Sequence, residues 1–147
     1  MATTKLQFDI DINAPKEKVW SALWNDATYR EWTNAFSEGS YAKSDWKEGS
    51  KILFLGANGD GMYSTIQKLI PNEQMTFKHL GVLEKGVEQK TSAQTKEWEG
   101  ALEEYFLTES NGKTHLKVTL NSTTQFEQYF RDTFPKAIQK VKEISER

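Results

Sequence analysis

The side chains of this 147-residue chain suited to proton chemistry or ligand recognition are His79, His115 and the adjacent pair Glu103-Glu104. Met75, Phe77 and His79 alternate, so a strand through them puts all three on one face. If Met75 and Phe77 face inward, so does His79, and a buried imidazole needs a hydrogen-bonding partner. It is then either a satisfied core or rim histidine, or a polar handle for a bound ligand of the kind apolar pockets carry. One histidine without clustered ligands does not make a metal site. His115 alternates with Leu116 and Val118 and is expected to point outward. Glu103 and Glu104 are neighbours on a strand, point to opposite faces, and do not form an acid–base pair. If Glu103 is the inward one, it shares a face with Tyr105 and Leu107. It then lies near a strand end, pairs with a cation, or does proton chemistry. No Ser/His/Asp or lysine-centred arrangement is legible. No catalytic residue, metal or cofactor is assigned. The stretch Gly56-Ala57-Asn58-Gly59-Asp60-Gly61 lacks the Lys-Ser/Thr pair of a phosphate loop and leads into a strand, so it reads as a hairpin turn.

Composition narrows the classes of function. There are no cysteines, which removes disulfides, thiolate metal sites and cysteine nucleophiles and fits a reducing compartment. The 19 basic and 21 acidic residues leave a net charge of −2 with no long run of one sign. A nucleic-acid partner is therefore not expected, because phosphate binding calls for a basic stripe. The N-terminus lacks the apolar stretch of a secretory signal, and no apolar run approaches the ~18 residues of a membrane span. A cytoplasmic protein is expected. The length favours one domain over 1–147, with no linker or repeat to divide it. Aromatics make up 12% of the chain, with five Trp and eight Phe, while all hydrophobics reach only 37%. A core built from a few large rings packs with irregular gaps, which is compatible with a cavity.

The elements that must position these groups follow from pattern. Leu6 to Ile12 alternates without a break, a half-buried strand with Leu6, Phe8, Ile10 and Ile12 on one face. Pro15 suits the first position of a helix carrying Val19, Trp20 and Leu23. Asn25-Asp26 breaks it, and Asp26 is expected to cap a second short helix through Tyr29 and Trp32. Strands are predicted over Ser37–Ser44, Lys51–Leu55, Met62–Ile70, Gln74–Leu83, Glu99–Glu109 and Thr114–Ser122. Turn chemistry separates them, most plainly Asn111-Gly112, and such short connections give antiparallel neighbours. Glu84 to Glu97 is polar and without period, and reads as a long mobile loop. Gln125 to Arg147 is predicted to be a helix, with Phe126, Tyr129, Phe130, Phe134, Ala137, Ile138, Val141 and Ile144 on its inward half. Pro135 falls on the polar half, where it bends the helix around what it packs on.

Taken in order, Ile12-x-Ala14-Pro15-x5-Trp20-x2-Leu23, Trp32, Gly49-x4-Phe54, Gly61, Pro71-x3-Met75-x-Phe77 and Gly112-x-Thr114-x-Leu116 resemble the START/Bet v 1-like (SRPBCC) superfamily. The branch they most resemble is related to the C-terminal domain of the Hsp90 ATPase activator. The resemblance implies an α+β helix-grip fold. In that fold a curved antiparallel sheet of about seven strands wraps a long C-terminal helix, with two short helices after the first strand. It also implies binding of a small hydrophobic molecule between sheet and helix. Phe54, Phe77, His79, Tyr105, Phe130 and Phe134 are the expected lining. The alternatives are a chaperone-associated module with a protein partner, and a cyclase- or hydrolase-like enzyme using a polar group in the pocket. Phe134-Pro135 stands where relatives often carry Trp, and the rings that line a cavity are also those that would fill it. The identity of the ligand is left open.

Overall fold

The computed structural model describes residues 4–90 and 99–147. The elements run β1 (Thr4–Ile12), α1 (Lys16–Trp24), α2 (Asp26–Thr33), β2 (Tyr41–Ser44), β3 (Lys51–Leu55), β4 (Gly61–Ile70), β5 (Gln74–Glu84), β6 (Val87–Glu88), β7 (Leu102–Ser110), β8 (Lys113–Ser122) and α3 (Thr124–Glu146). Seven strands form one antiparallel sheet in the order β1-β8-β7-β5-β4-β3-β2, and β6 adds to the end of β5. The first strand closes on the last, from Thr4 opposite Ser122 to Ile12 opposite Thr114.

The sheet bends where two residues are inserted into the β4–β5 ladder. Tyr63 opposes Gly81 but Ser64 opposes His79, so Leu80 is an extra residue on β5. Ile66 opposes Phe77 but Lys68 opposes Thr76, so Gln67 is extra on β4. Such bulges kink a strand and increase its twist, which is what wraps a sheet around a helix. Gly61 is required at the β3–β4 hairpin, because a Cβ there would stand 1.8 Å from the Phe54 carbonyl oxygen. Asn111 and Gly112, with φ of 55° and 77°, make the β7–β8 turn as their sequence implies.

The core lies between the concave face and α3. Leu6 and Ile12 are buried, and Phe8 stacks on Phe134 with ring centres 5.1 Å apart. Phe134, Ala137, Ile138, Val141 and Ile144 are buried along α3, while Pro135 is exposed on its outer side. Trp32 donates its indole N–H to the Leu23 carbonyl at 3.0 Å, which locks α2 on α1. Arg147 grips Glu31 through two bonds of 3.1 and 2.8 Å, tying the end of α3 to α2.

Several expectations are corrected. Phe126 and Tyr129 remain 44% and 43% exposed, because the inward stripe of α3 is buried only from Thr133 onward. Asp26 does not cap α2. It is the first helical residue and accepts from Arg30 Nε one turn on at 3.1 Å. Pro15 is the cap residue of α1 rather than its first helical one. Ser37 to Ser40 form a turn, closed by Ser40 N–H to the Ser37 carbonyl, so β2 begins at Tyr41. Glu99 and Gly100 are likewise a turn before β7. The aperiodic loop expected over Glu84–Glu97 is replaced at its start by a two-residue hairpin. Lys85 and Gly86 both take positive φ there, and Val87 pairs with Glu84. Residues 91–97 of that expected loop lie outside the described residues.

Candidate ligand cavity

Between the concave face of the sheet, α2 and the first half of α3 lies a cavity of about 1250 Å³. Phe54, Phe77, His79, Tyr105, Phe130 and Phe134 all line it. Each is set there by its element. Phe77 and His79 alternate along β5, and Tyr105 stands across the ladder on β7, where Phe77 opposes Glu103. Phe54 on β3 meets Phe77 edge to face at 5.0 Å. Phe130 and Phe134 are one turn apart on α3, with ring centres 5.9 Å apart.

The alternation that aims Tyr105 inward also aims Glu103 inward, and Glu103 lines the same cavity. The bulge at Leu80 brings Ser64 beside His79, with Ser64 Oγ 2.7 Å from Nδ1. On the other side of the ring, Nε2 lies 3.0 Å from Glu103 Oε1. The second oxygen of Glu103 accepts from the Tyr105 hydroxyl. Ser64 is 0% exposed and has no other side-chain hydrogen bond among the described residues. The arrangement that leaves no buried hydrogen without an acceptor has Ser64 donating to Nδ1, with the ring proton on Nε2 donating to Glu103. The chain of bonds therefore ends on the carboxylate, which receives two neutral donors.

The phenols around it respond to that charge. Burial first, then the charge of Glu103 and its hydrogen bond, pushes the Tyr105 pKa well above the usual phenol value. Burial first and then Glu103 pushes Tyr29 upward as well. Both stay protonated at neutral pH and keep their O–H donors. Serine, histidine and carboxylate in this order bring a hydrolytic triad to mind, but the geometry differs. The hydroxyl sits on Nδ1 and the carboxylate on Nε2, and fully buried Ser64 does not line the cavity. His115, expected outward, lies half-buried on the sheet's other face, 2.7 Å from Asp11 and 2.8 Å from Asp9.

Sequence reasoning left out much of the wall. Trp24, Tyr29, Trp32 and Phe36 line the cavity from α1, α2 and the turn after them. Trp24 stands edge-on to Phe77 at 5.4 Å and to Tyr105 at 4.9 Å. Tyr29 and Trp32 were legible as residues of a short helix, but such positions signal packing against a core as much as a wall. Ser64 gave no signal, because its pairing with His79 depends on the bulge.

An antiparallel sheet bent around a long C-terminal helix, with two short helices after the first strand, is the helix-grip architecture of START/Bet v 1-like proteins. Within that class, residues 13–144 match the family described as Activator of Hsp90 ATPase homolog 1-like protein, and the chain belongs to that family. Solved structures of similar shape include a Mesorhizobium loti protein at 14% identity, covering 96% of each chain with a TM-score of 0.75. The Aha1 dimer from Colwellia psychrerythraea is 22% identical, over 97% of this chain and 96% of its own, with a TM-score of 0.73. A Cytophaga hutchinsonii protein is also 22% identical, over 97% of this chain and 94% of its own, with a TM-score of 0.69. At such identities the likeness is one of fold. No curated protein matches the sequence. Among the described residues, no helix is long and apolar enough to cross a membrane.

Proposed function

We propose that this protein binds a small apolar molecule in the cavity between the sheet and α3, with the His79–Glu103–Tyr105 group as its polar anchor. The observation that carries this reading is the cavity itself. Its largely aromatic lining surrounds about 1250 Å³, ample for a small-molecule site. A cytoplasmic setting belongs to the same reading and is supported by the absence of cysteine.

The test is a titration with the neutral fluorescent probe N-phenyl-1-naphthylamine. The expected result is a saturable rise in emission at one probe per chain, weakened in Phe130→Trp, where the larger ring takes up cavity space. No saturable signal, with other apolar probes equally inert, contradicts the reading.

A second reading, a chaperone-associated interaction module, is supported by the family match and by the exposed Val87, Phe126 and Tyr129 at the cavity rim. It expects the protein to change the ATPase rate of an Hsp90. An unchanged rate over a full concentration series counts against it.

A further inference from the structure

We propose that the cavity selects an apolar guest carrying a protonated amine, held by Glu103, and disfavours guests with an acidic head such as fatty acids. The proposal rests on the cavity being a ligand site.

Three observations converge on it. The first is the state of Glu103. A carboxylate offers about four acceptor positions, and His79 and Tyr105 occupy two of them. Both donors are neutral in the arrangement that satisfies Ser64, so a negative charge stays on the cavity wall with acceptor capacity to spare. The second is the balance of charge around the space. Among the described lining residues, Asp60, Glu84, Glu88 and Glu103 are acidic and only Lys90 is a lysine or arginine. Lys51 offsets Glu88 from outside the lining, and Asp60 takes the Lys85 backbone N–H at 3.0 Å. Glu103 has no lysine or arginine beside it among the described residues. The third is the aromatic wall. Phe54 and Phe77 meet edge to face at 5.0 Å, and Phe77 and Tyr105 at 6.2 Å. Ring faces attract cations through their quadrupole, most strongly where water is excluded. Rings beside a carboxylate are therefore the chemistry that recognises an ammonium. A second carboxylate brought to Glu103 in so apolar a space would instead be repelled, because charges interact strongly at low dielectric. Burial first, and then the charge of Glu103, raise the pKa values of Tyr29 and Tyr105, the same field acting on neighbouring protons.

The test uses decylamine, decanol and decanoate, one tail with three heads, to displace N-phenyl-1-naphthylamine at neutral pH below their micelle concentrations. The expected order is amine, then alcohol, then acid, with the amine at least about tenfold tighter than the acid, as a hydrogen bond to a charged group implies. Glu103→Gln is expected to bring the three within about twofold of one another. The wild-type order alone overturns the proposal if decanoate competes as well as decylamine, and the apolar-ligand reading survives that result because all three bind. The same order in Glu103→Gln as in wild type assigns the preference to overall charge and overturns the role of Glu103. Failure of the naphthylamine and all three competitors to bind removes the apolar-ligand reading, and the proposal with it.

Discussion

Glu103 holds His79 through one oxygen and Tyr105 through the other, and Ser64 completes the chain from behind. Ser64 thus sets the side of the imidazole that carries the proton. Ser64→Ala removes the only hydrogen-bonding partner of Nδ1 among the described residues and is expected to cost about 1–3 kcal/mol, read by urea denaturation. An unchanged unfolding midpoint would show that the ring finds another partner. On the opposite face of the sheet, hydrogen bonds donated by His115 first to Asp11 and then to Asp9 raise its pKa above 6.5. A raised folded pKa stabilises fully below the unfolded value and is lost as pH climbs from 6.5 through the folded value. The His115 side chain is 44% exposed, so screening limits the effect to on the order of 0.5 kcal/mol. Asp9 works in the other direction. Hydrogen bonds from Gln7 and then His115 lower its pKa below 3.8, and its contribution is lost as pH falls through the folded value. Denaturation curves should show this contribution to stability declining in the wild type as pH rises above 6.5. His115→Gln should flatten that decline, and an equal decline in the variant would place its source elsewhere.

At the scale of elements, α3 carries two phenylalanines one turn apart with different duties. Phe134 is 2% exposed and stacked on Phe8, so Phe134→Ala is expected to cost about 3–5 kcal/mol. Phe130 is only half-buried at the cavity, so Phe130→Ala should cost about 1 kcal/mol and weaken probe binding instead. Equal losses of stability would mean that the two rings are packed alike. Much at this scale was legible in the sequence. The alternation of β1, the Asn111-Gly112 turn and, from Thr133 onward, the half-apolar face of α3 each state a local rule, and the structure obeys it. What stayed illegible depended on distant partners. The 3.6-residue period gives Phe126 the same phase as Phe134, but only the reach of the sheet decides which of them is covered. Lys85-Gly86 is a legitimate two-residue turn, hidden in a polar stretch that lacks the alternation of a long strand. The bulge at Leu80 leaves no mark in composition, although it places His79 against Ser64.

Over the whole molecule, Phe54, Phe77, His79, Tyr105, Phe130 and Phe134 line one space, and Glu103 joins them because alternation makes it share the Tyr105 face. The size of that space was not legible. Ring volumes can be counted in a sequence, but the two bulges that bend the sheet around α3 cannot. An apolar guest that binds this cavity only in the folded state should stabilise the fold by mass action. At a hundred times its dissociation constant a guest contributes about 2.7 kcal/mol. For a chain of this size that is a rise in melting temperature of about 5–10 °C. The most direct test is calorimetry of the purified protein against increasing decanol, whose neutral head makes the result independent of Glu103. The expected result is a melting temperature that climbs with decanol concentration. A melting temperature that stays flat or falls across the series would contradict a ligand-binding cavity.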